Sequence, residues 1–451
     1  MIIVLDLAEV NRVKGHLESV IMNSINIGLI GFGVVGSGVY SILRDSRELL
    51  AEKCGVELNI TKIAVRDAGR KRNVDVDSSL LTTNPEDIVN DPDIHIVAEL
   101  IGGVDIPYTL VEQSITNGKH VVTANKALLA THGHKLFSLA RDKRVTLAYE
   151  ASVAGGIPII RTIKQALAGD HIRSLYGIIN GTSNYILTRM VDEGMDFDTA
   201  LSQAQELGFA EADPTLDVNG GDAAHKIAIL AALAYNTEVD YTAIYYEGIE
   251  NIALSDIFYA QELGYTLKLL GIASEEGDNR IAVRVHPALI EDNNPLSGIK
   301  NEYNAVLIDS EYLGKSLYSG KGAGMYPTAN AVVGDIIDIA KGIASGTGYN
   351  AHQSVNGTSR QLASLSETSY QYYIRFNTLD KPGILARIAG IFSENNISIA
   401  RVIQKGKHKA DFVHLVLETH KALERDVNHA LTEINKLNLV DPPGAMIRIV
   451  S

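Results

Sequence analysis

The chain has 451 residues, a length that predicts about three domains at the usual ~100–200 residues each. The 46% hydrophobic and 21% charged residues are ordinary for a globular protein. The formal charge of −14 argues against nucleic acid or an anionic membrane surface as a partner, because both reward clustered Lys and Arg. Cys54 is the only cysteine, which excludes an intrachain disulfide and favours a reducing compartment, the cytoplasm. No apolar run approaches the roughly 20 residues that span a bilayer.

Residues 1–24 precede the first convincing strand and mix acidic and basic side chains. The apolar stretch at their start is too short for the hydrophobic region of a signal peptide. We interpret these residues as an N-terminal extension or as the product of an upstream start; a docked helix is the alternative.

Strands and helices alternate from residue 25 to about residue 150. The apolar run at 25–30 ends in glycines and indicates a buried parallel strand. Further strands are predicted at 58–65, 93–99, 120–123 and 145–149, and helices at 36–53, 84–90, 107–117 and 127–142. This alternation predicts an α/β fold with a Rossmann-type doubly wound parallel sheet over residues 25–150.

The pattern changes after residue 150. Long helices such as 223–234 mix with strands such as 172–179 and 280–286, which predicts an α+β domain over 151–310 for substrate binding and oligomerisation. A segment around 310–345 is expected to return to the first domain. Residues 346–369 are polar and rich in Gly, Ser, Thr and Asn, which is typical of a linker.

Residues 370–451 form a third domain by their pattern. Successive elements are predicted at 372–377, 384–395, 397–404, 411–419, 424–437 and 446–450. Their order, βαββαβ, is the ferredoxin-like arrangement. A structural dimerisation module is one interpretation, since the open edge of such a sheet can pair with a partner.

A GxGxxG motif lies between the first strand and the first helix. Its glycines permit a tight turn, close approach of a pyrophosphate and helix–strand packing, while the helix start supplies amides and a favourable dipole. The alternative is a glycine turn that binds nothing. The motif consists of Gly31, Phe32, Gly33, Val34, Val35 and Gly36.

The end of the second strand bears on the choice of dinucleotide. Arg66 at this position could neutralise a 2′-phosphate, which favours NADP(H) over NAD(H). Asp67 keeps NAD(H) open, because an acidic residue there can accept hydrogen bonds from the ribose hydroxyls. A solvated charge run over residues 66–72 is the alternative.

Two further segments follow strands of the predicted sheet. Lys126 closes a strand in the second half of the sheet and is expected near the ligand crevice; a surface lysine at a helix start is the alternative. Glu150 opens a glycine-rich turn that could present several carbonyl oxygens to a hard cation. On spacing alone, we interpret that turn as a crossing between domains.

Asp222 and Lys226 carry the strongest chemical signal. Their i,i+4 spacing places both on one face of a helix, and an isolated helical ion pair is the default interpretation. The helix that follows is apolar, however, and must be buried. Charges at the buried end of a core helix are costly unless they line a cavity, which favours a functional site.

Six runs of the sequence resemble homoserine dehydrogenases and together span most of residues 25–335. They are GLIGFGVVGSGV, VVTANKALLA, EASVAGGIPI, GIINGTSNYIL, ELGFAEADPTLDVNGGDAAHKIAIL and GKGAGMYPTA. Residues 372–450, with DKPGIL after the first strand, resemble an ACT domain, a module that often binds amino acids for feedback control. The resemblance implies an enzyme that interconverts L-homoserine and L-aspartate 4-semialdehyde in threonine, methionine and isoleucine biosynthesis.

The resemblance also implies roles at the substrate. Lys226 matches the family's catalytic lysine, which accepts a proton in alcohol oxidation and donates one in aldehyde reduction. Lys126 matches a second lysine near the nicotinamide and the substrate. Glu211 and Asp222 match carboxylates that hold the ammonium group of homoserine.

Cofactor and metal positions follow from the same resemblance. Gly208 and Gly324 match backbone positions that contact the dinucleotide. A sodium site, built mostly from backbone carbonyls, matches Glu150, Val153, Gly155 and Ile157.

The partners implied are a small-molecule substrate, an amino-acid effector near residues 380–385 and further copies of the chain in a dimer or tetramer. One rival is a dehydrogenase for another semialdehyde or amino acid, although phosphorylating aldehyde oxidation needs a well-placed thiol and Cys54 ends the first predicted helix. The other rival is a sensor of nucleotides and amino acids without catalysis. The intact Asp222–Lys226 pair counts against it.

Overall fold

The computed structural model describes residues 24–72, 74–277, 279–346, 359–405, 412–437 and 440–450. Most of the predicted N-terminal extension and residues 347–358 of the predicted linker lie outside these ranges. The described residues divide into two compact units: the first lies within 24–128, 132–152 and 324–346, and the second within 129–131, 153–323 and 359–450. None of the helices in the described ranges combines the length and the apolar character needed to cross a bilayer.

The first unit is built on a six-stranded sheet in which every neighbouring pair is parallel. The strand order β3-β2-β1-β4-β5-β6 reverses between β1 and β4, which confirms the predicted doubly wound sheet. The strands are β1 (Ser24–Ile30), β2 (Glu57–Ala64), β3 (Leu81–Thr82), β4 (Ile96–Glu99), β5 (His120–Thr123) and β6 (Leu147–Ala148).

The helices of the first unit lie between these strands, with one exception from later in the chain. They are α1 (Val34–Asp45), α2 (Arg47–Cys54), α3 (Glu86–Val89), α4 (Asp105–Thr116) and α5 (Lys126–Lys143), joined by α12 (Met325–Ala344). Val39 of α1 shares a hydrophobic core with Val332 and Ile336 of α12. The single helix predicted over 36–53 was wrong, because Ser46, with φ −113° and ψ 20°, leaves the helical conformation between α1 and α2.

The second unit contains a mixed sheet of twelve strands with the main order β12-β11-β7-β9-β10-β18-β14-β16-β15; β8 and β13 pair with β10, and β17 pairs with β14. The strands up to β13 are β7 (Ile172–Ile178), β8 (Tyr245–Tyr246), β9 (Tyr265–Glu275), β10 (Arg280–Glu291), β11 (Tyr303–Ser310), β12 (Gly314–Lys321) and β13 (Gln361–Leu362). The sequence analysis did not identify β9, β11 or β12. Only two residues separate β9 from the preceding helix, and six of the eight residues of β12 are Gly, Ser or Lys, which give a weak strand signal.

The helices of the first half of this unit cover one part of the sheet. They are α6 (Ile159–Arg161) with the adjoining π-helix Thr162–Ala166, α7 (Gly181–Glu193), α8 (Phe197–Glu206), α9 (Thr215–Val218), α10 (Gly221–Ala234) and α11 (Leu254–Glu262). α10 packs on β9 and β10 through an almost uninterrupted run of buried residues.

The last part of the chain has the predicted βαββαβ order. Its elements are β14 (Ser369–Leu379), α13 (Ile384–Glu394), β15 (Ile399–Lys405), β16 (Phe412–Thr419), the short β17 (Ala422–Leu423), α14 (Glu424–Asn435) and β18 (Val440–Ile449). One edge of its sheet pairs within the chain: β18 runs parallel to β10, with Ala288 opposite Arg448 and Leu289 opposite Ile449. The two sheets are therefore continuous, which the sequence analysis did not anticipate.

Buried ion pairs fasten this C-terminal part to the rest of the second unit. The Arg375 guanidinium donates to both carboxylate oxygens of Asp256, at 2.6 and 3.1 Å, and the Tyr373 hydroxyl donates to the same carboxylate at 2.9 Å. Arg448 binds Glu247, outside the C-terminal part, at 3.1 Å, and Glu424, within it, at 2.5 Å. The Asp256 side chain is fully buried, so the hydrogen bonds from Arg375 and Tyr373 are needed to stabilise its negative charge.

Substitution Arg375→Met should lower the free energy of unfolding by about 3–5 kcal/mol, because Asp256 would keep a buried charge without a cation. Urea denaturation of the full chain measures this change. Lys300→Met is the matched control: the Lys300–Asp192 pair is half exposed, and its loss should cost at most about 1 kcal/mol. Equal losses in the two variants would contradict a fastening role for the buried pair.

Candidate active site

The GxGxxG motif forms the turn between β1 and α1. Gly31 has φ +107°, and a Cβ there would lie 2.8 Å from the Leu100 carbonyl oxygen. A Cβ on Gly36 would lie 2.2 Å from the Gly31 carbonyl oxygen, whereas Gly33 faces open space. Packing thus requires two of the three glycines, and the third leaves room for a ligand at the start of α1, where no side chain caps the helix.

The loop after β2 contains the residues predicted to select the cofactor. The Asp67 carboxylate accepts a hydrogen bond from the Gly69 amide at 2.8 Å and holds the loop in a turn. Arg66 is exposed, and its guanidinium makes no hydrogen bond or ion pair with any residue in the described ranges. Of the two side chains, Arg66 is the one available to a phosphate.

A buried carboxylate organises the carboxyl ends of β4 and β5. Glu99 accepts hydrogen bonds from the Thr123 hydroxyl at 2.6 Å and the Ile101 amide at 2.9 Å. Asn125 caps α5 by accepting from the Leu128 amide at 3.0 Å, and Lys126 is the first residue of that helix. Burial raises the pKa of Glu99 to about 7, although these hydrogen bonds oppose the increase.

The start of α10 brings Asp222 and Lys226 together. The Lys226 ammonium donates to the Asp222 carboxylate at 2.6 Å and to the Ile179 carbonyl, just beyond β7, at 2.8 Å. Only 13% of the Lys226 side chain and 7% of the Asp222 side chain are exposed. The predicted charged pair at the buried end of a core helix is therefore present, and its two hydrogen bonds use two of the three N–H groups of the ammonium.

Asn180 and Asp217 complete this group, and the sequence analysis assigned neither a role. The Asn180 amide donates to Asp217 at 2.7 Å and to Asp222 at 2.9 Å, while its oxygen caps α7. Burial, with a smaller contribution from the Asp222 charge, raises the pKa of Asp217. The sequence did hold a signal for Asn180: it is a polar residue directly after a predicted buried strand, within the run GIINGTSNYIL that resembles the family.

Glu211 and Gly208 lie in the exposed turn between α8 and α9. The Glu211 carbonyl oxygen accepts a hydrogen bond from Gln205 at 3.2 Å, and the Glu211 side chain is exposed. Gly208 has φ +76°, and Gly324, in the first unit, has φ +120° at the start of α12. The two units therefore hold different predicted residues: Lys126 and Gly324 belong to the first, and Lys226 and Glu211 to the second.

The turn predicted to hold a cation has backbone geometry that suits oxygen ligands. Ala154 and Gly155 both have positive φ, and a Cβ on Gly155 would lie 2.3 Å from the Gly322 carbonyl oxygen. Within the described ranges, the carbonyl oxygens of Val153 and Gly155 accept no hydrogen bond, whereas that of Ile157 accepts one from Ile159 at 2.8 Å. Glu150 is buried, and its amide donates to Asp335 at 2.8 Å.

Three family models match the chain in succession. They are "Homoserine dehydrogenase, NAD binding domain" over residues 31–150, "Homoserine dehydrogenase" over 158–337 and "ACT domain" over 372–438. A homoserine dehydrogenase of Neisseria gonorrhoeae is 41% identical over 434 residues, covering 95% of this chain and 99% of its own length. One of Bacillus subtilis is 39% identical over 429 residues, with 95% and 99% coverage.

Solved structures give the same result. A homoserine dehydrogenase from Thiobacillus denitrificans has a TM-score of 0.87 at 41% identity and covers 95% of this chain and 98% of its own. A hyperthermophilic archaeal homoserine dehydrogenase in complex with NADPH has a TM-score of 0.58 at 27% identity, with 70% and 97% coverage.

The raised pKa of Glu99 predicts a pH-dependent stability. Folding favours the protonated carboxyl. As pH rises from about 4.5 to about 7, the wild type should therefore lose stability relative to Glu99→Gln, and above this interval the difference should stay constant. Urea denaturation across this interval measures it. Glu48→Gln, on the exposed surface of α2, is the control. A Glu99→Gln difference that stays flat with pH would contradict the buried titration.

Proposed function

The chain belongs to the homoserine dehydrogenase family of oxidoreductases, and on that premise we propose that it interconverts L-homoserine and L-aspartate 4-semialdehyde with Lys226 as the proton-transferring residue. The observation that carries the proposal is the nearly buried Lys226 ammonium, held by Asp222 and the Ile179 carbonyl. Biosynthesis of threonine, methionine and isoleucine in the cytoplasm is the corresponding role.

The protein's own residues must orient the substrate and move one proton. A bound nicotinamide cofactor supplies or accepts the hydride at C4. In the reductive direction, the remaining N–H of Lys226 donates to the aldehyde oxygen, which becomes the hydroxyl of homoserine. In the oxidative direction, the neutral Lys226 amine takes the hydroxyl proton. Oxidation releases this proton to the solvent, so alkaline conditions favour the oxidative direction.

We assign the carboxylates to the amino group of the substrate. An α-ammonium needs opposite charge in a site with little water, and Asp222 and Glu211 can supply it. Asn180 fixes the orientation of the Asp222 carboxylate through a 2.9 Å hydrogen bond. Lys126, at the start of α5, is the second lysine near the reacting groups.

NADP(H) is the cofactor that we propose, bound at residues 31–36 with Gly208 and Gly324 contributing backbone contacts. The free Arg66 guanidinium and the internally bonded Asp67 carboxylate support a 2′-phosphate over a bare ribose. The archaeal relative in complex with NADPH also supports this preference.

A sodium ion fits the turn after β6. Two backbone carbonyls without hydrogen bonds, at Val153 and Gly155, together with the Glu150 carboxylate and the Ile157 carbonyl, form a set of hard oxygen donors. In the sequence of the chain, this set lies between the nucleotide-binding and substrate-binding segments. We propose that the bound ion orders the backbone where the chain passes from the nucleotide-binding domain to the substrate-binding domain.

Residues 370–451 are proposed to regulate the enzyme. Their ACT domain supports feedback inhibition by threonine or another end product bound near residues 380–385 at the start of α13. Assembly into a dimer or tetramer through the second unit is part of the same proposal, with residues 25–150 and 151–310 serving as the nucleotide-binding and substrate-binding domains.

Substitution Lys226→Ala should lower kcat for reduction of L-aspartate 4-semialdehyde by about 10²–10⁴-fold, the usual contribution of a positioned proton donor. The loss of NADPH absorbance measures turnover, in buffer containing sodium. Lys315→Ala, on exposed β12, is the matched control. Full activity of Lys226→Ala would refute the role of Lys226. If the wild type binds a dinucleotide but turns over neither NADPH nor NADH, the sensor interpretation replaces the enzymatic one.

Substitution Arg66→Gln should raise KM for NADPH by roughly 10–100-fold, the loss expected when a charge-assisted hydrogen bond to a phosphate is removed. KM for NADH should stay unchanged, because that cofactor has no 2′-phosphate. Arg70→Gln, in the same exposed loop, controls for the loss of one positive charge. Equal increases in KM for both cofactors would contradict phosphate recognition by Arg66.

A further inference from the structure

The second unit contains a cavity that the proposed reaction does not use. It has a volume of about 440 Å³ and lies where β8, β10 and β13 meet the segment that leads into β14. Its walls are mainly aliphatic, with the hydroxyl-bearing Ser364 and Thr368 and one charged side chain, Arg284. Neither Lys226 nor residues 380–385, where an ACT effector is expected, line it.

Arg284 is the unusual feature of this cavity. Its side chain is 6% exposed, and its Nε and Nη1 atoms are buried without a hydrogen-bond partner in the part of the chain that the structure describes. The guanidinium lies 5.0 Å from the centre of the Tyr370 ring, and the buried Tyr370 hydroxyl also lacks a partner there. Buried polar groups are nearly always hydrogen bonded, so unpaired donors beside a cavity indicate a missing acceptor.

None of the carboxylates in the described ranges forms an ion pair with Arg284. The acidic side chains on the elements around the cavity already have partners of their own. Glu247 and Glu424 bind Arg448, Glu367 binds Arg280, Glu275 binds Arg360 and His171, and Glu276 accepts from Ser274. His286, two residues further along β10, is buried, and its surroundings lower its pKa well below the ordinary value, so it adds no second cation. One buried positive charge is therefore left for an external anion.

We propose that this cavity binds a small aliphatic carboxylate. The planar guanidinium of Arg284 matches a carboxylate in both shape and charge, whereas a compact ammonium group would match it in charge alone. Ala282, Ile244, Leu362 and Leu365 supply apolar walls for an aliphatic body of a few carbon atoms. A free amino acid and a simple carboxylic acid share this chemistry, since both carry a carboxylate on a short carbon chain.

Isothermal titration calorimetry with the full chain tests the proposal, using isobutyrate, isobutyramide, L-valine and sulfate as probes. Isobutyrate or L-valine should bind, whereas isobutyramide, which has the same shape without the charge, should not. Tighter binding of L-valine identifies the amino-acid class, and tighter binding of isobutyrate identifies the simple acids. Binding of sulfate alone would overturn the proposal, because it would show an inorganic anion site.

Substitution Arg284→Met should weaken carboxylate binding by about tenfold or more. Arg280→Met removes a charge from the same strand outside the cavity lining and should leave binding unchanged. A carboxylate that binds at the catalytic site instead would bind Arg284→Met as it binds the wild type, and that result refutes the proposal. Without ligand, Arg284→Met should unfold at a temperature no lower than the wild type, because it removes an uncompensated buried charge. A marked loss of stability would assign Arg284 a structural role instead.

Discussion

Lys226 carries a positive charge into a position where only 13% of its side chain is exposed. A charge so far out of water is costly unless opposite charge and hydrogen bonds compensate it. Asp222 supplies the charge from the preceding turn of the same helix, and the Ile179 carbonyl supplies a second acceptor from beyond the end of β7. Because that acceptor comes from another element, the ammonium is oriented by the docking of α10 against the sheet as well as by its own helix. The direction in which its remaining N–H points is therefore a property of the folded unit.

Local sequence pattern predicted those features that depend on neighbours in the chain. Alternating apolar runs gave the parallel sheet, GxGxxG gave the turn before α1, and i,i+4 spacing placed Asp222 with Lys226. Asn180 could not be assigned in this way, because its hydrogen bonds join residues 37 and 42 positions apart. The pairing of β18 with β10 is likewise non-local, since nothing in either strand specifies the other as its neighbour.

Charge in the second unit is balanced pair by pair where the C-terminal part meets the rest. Arg375 on β14 is matched by Asp256 on α11, and Arg448 on β18 is matched by Glu247, just after β8, and by Glu424 of its own domain. Such pairs contribute little net stability but penalise any arrangement that separates them, so they favour one docked arrangement of the ACT domain. Arg284 lies in the same sheet without a matching carboxylate. Its guanidinium instead lies over the ring of Tyr370 on β14.

The stretch from Tyr245 to Ile249 connects the Arg284 cavity with α9, the short helix that precedes the Asp222–Lys226 pair. Tyr245 lines the cavity and lies opposite Arg284 in the register of β8 and β10. Four residues later the Ile249 amide donates to the Val218 carbonyl, and a Cβ on Gly248 would lie 1.9 Å from that same carbonyl oxygen. The two backbones therefore approach so closely that only glycine fits at position 248. Asp217 immediately precedes Val218, so this contact joins the stretch after β8 to the segment that holds Asp217 against Asn180.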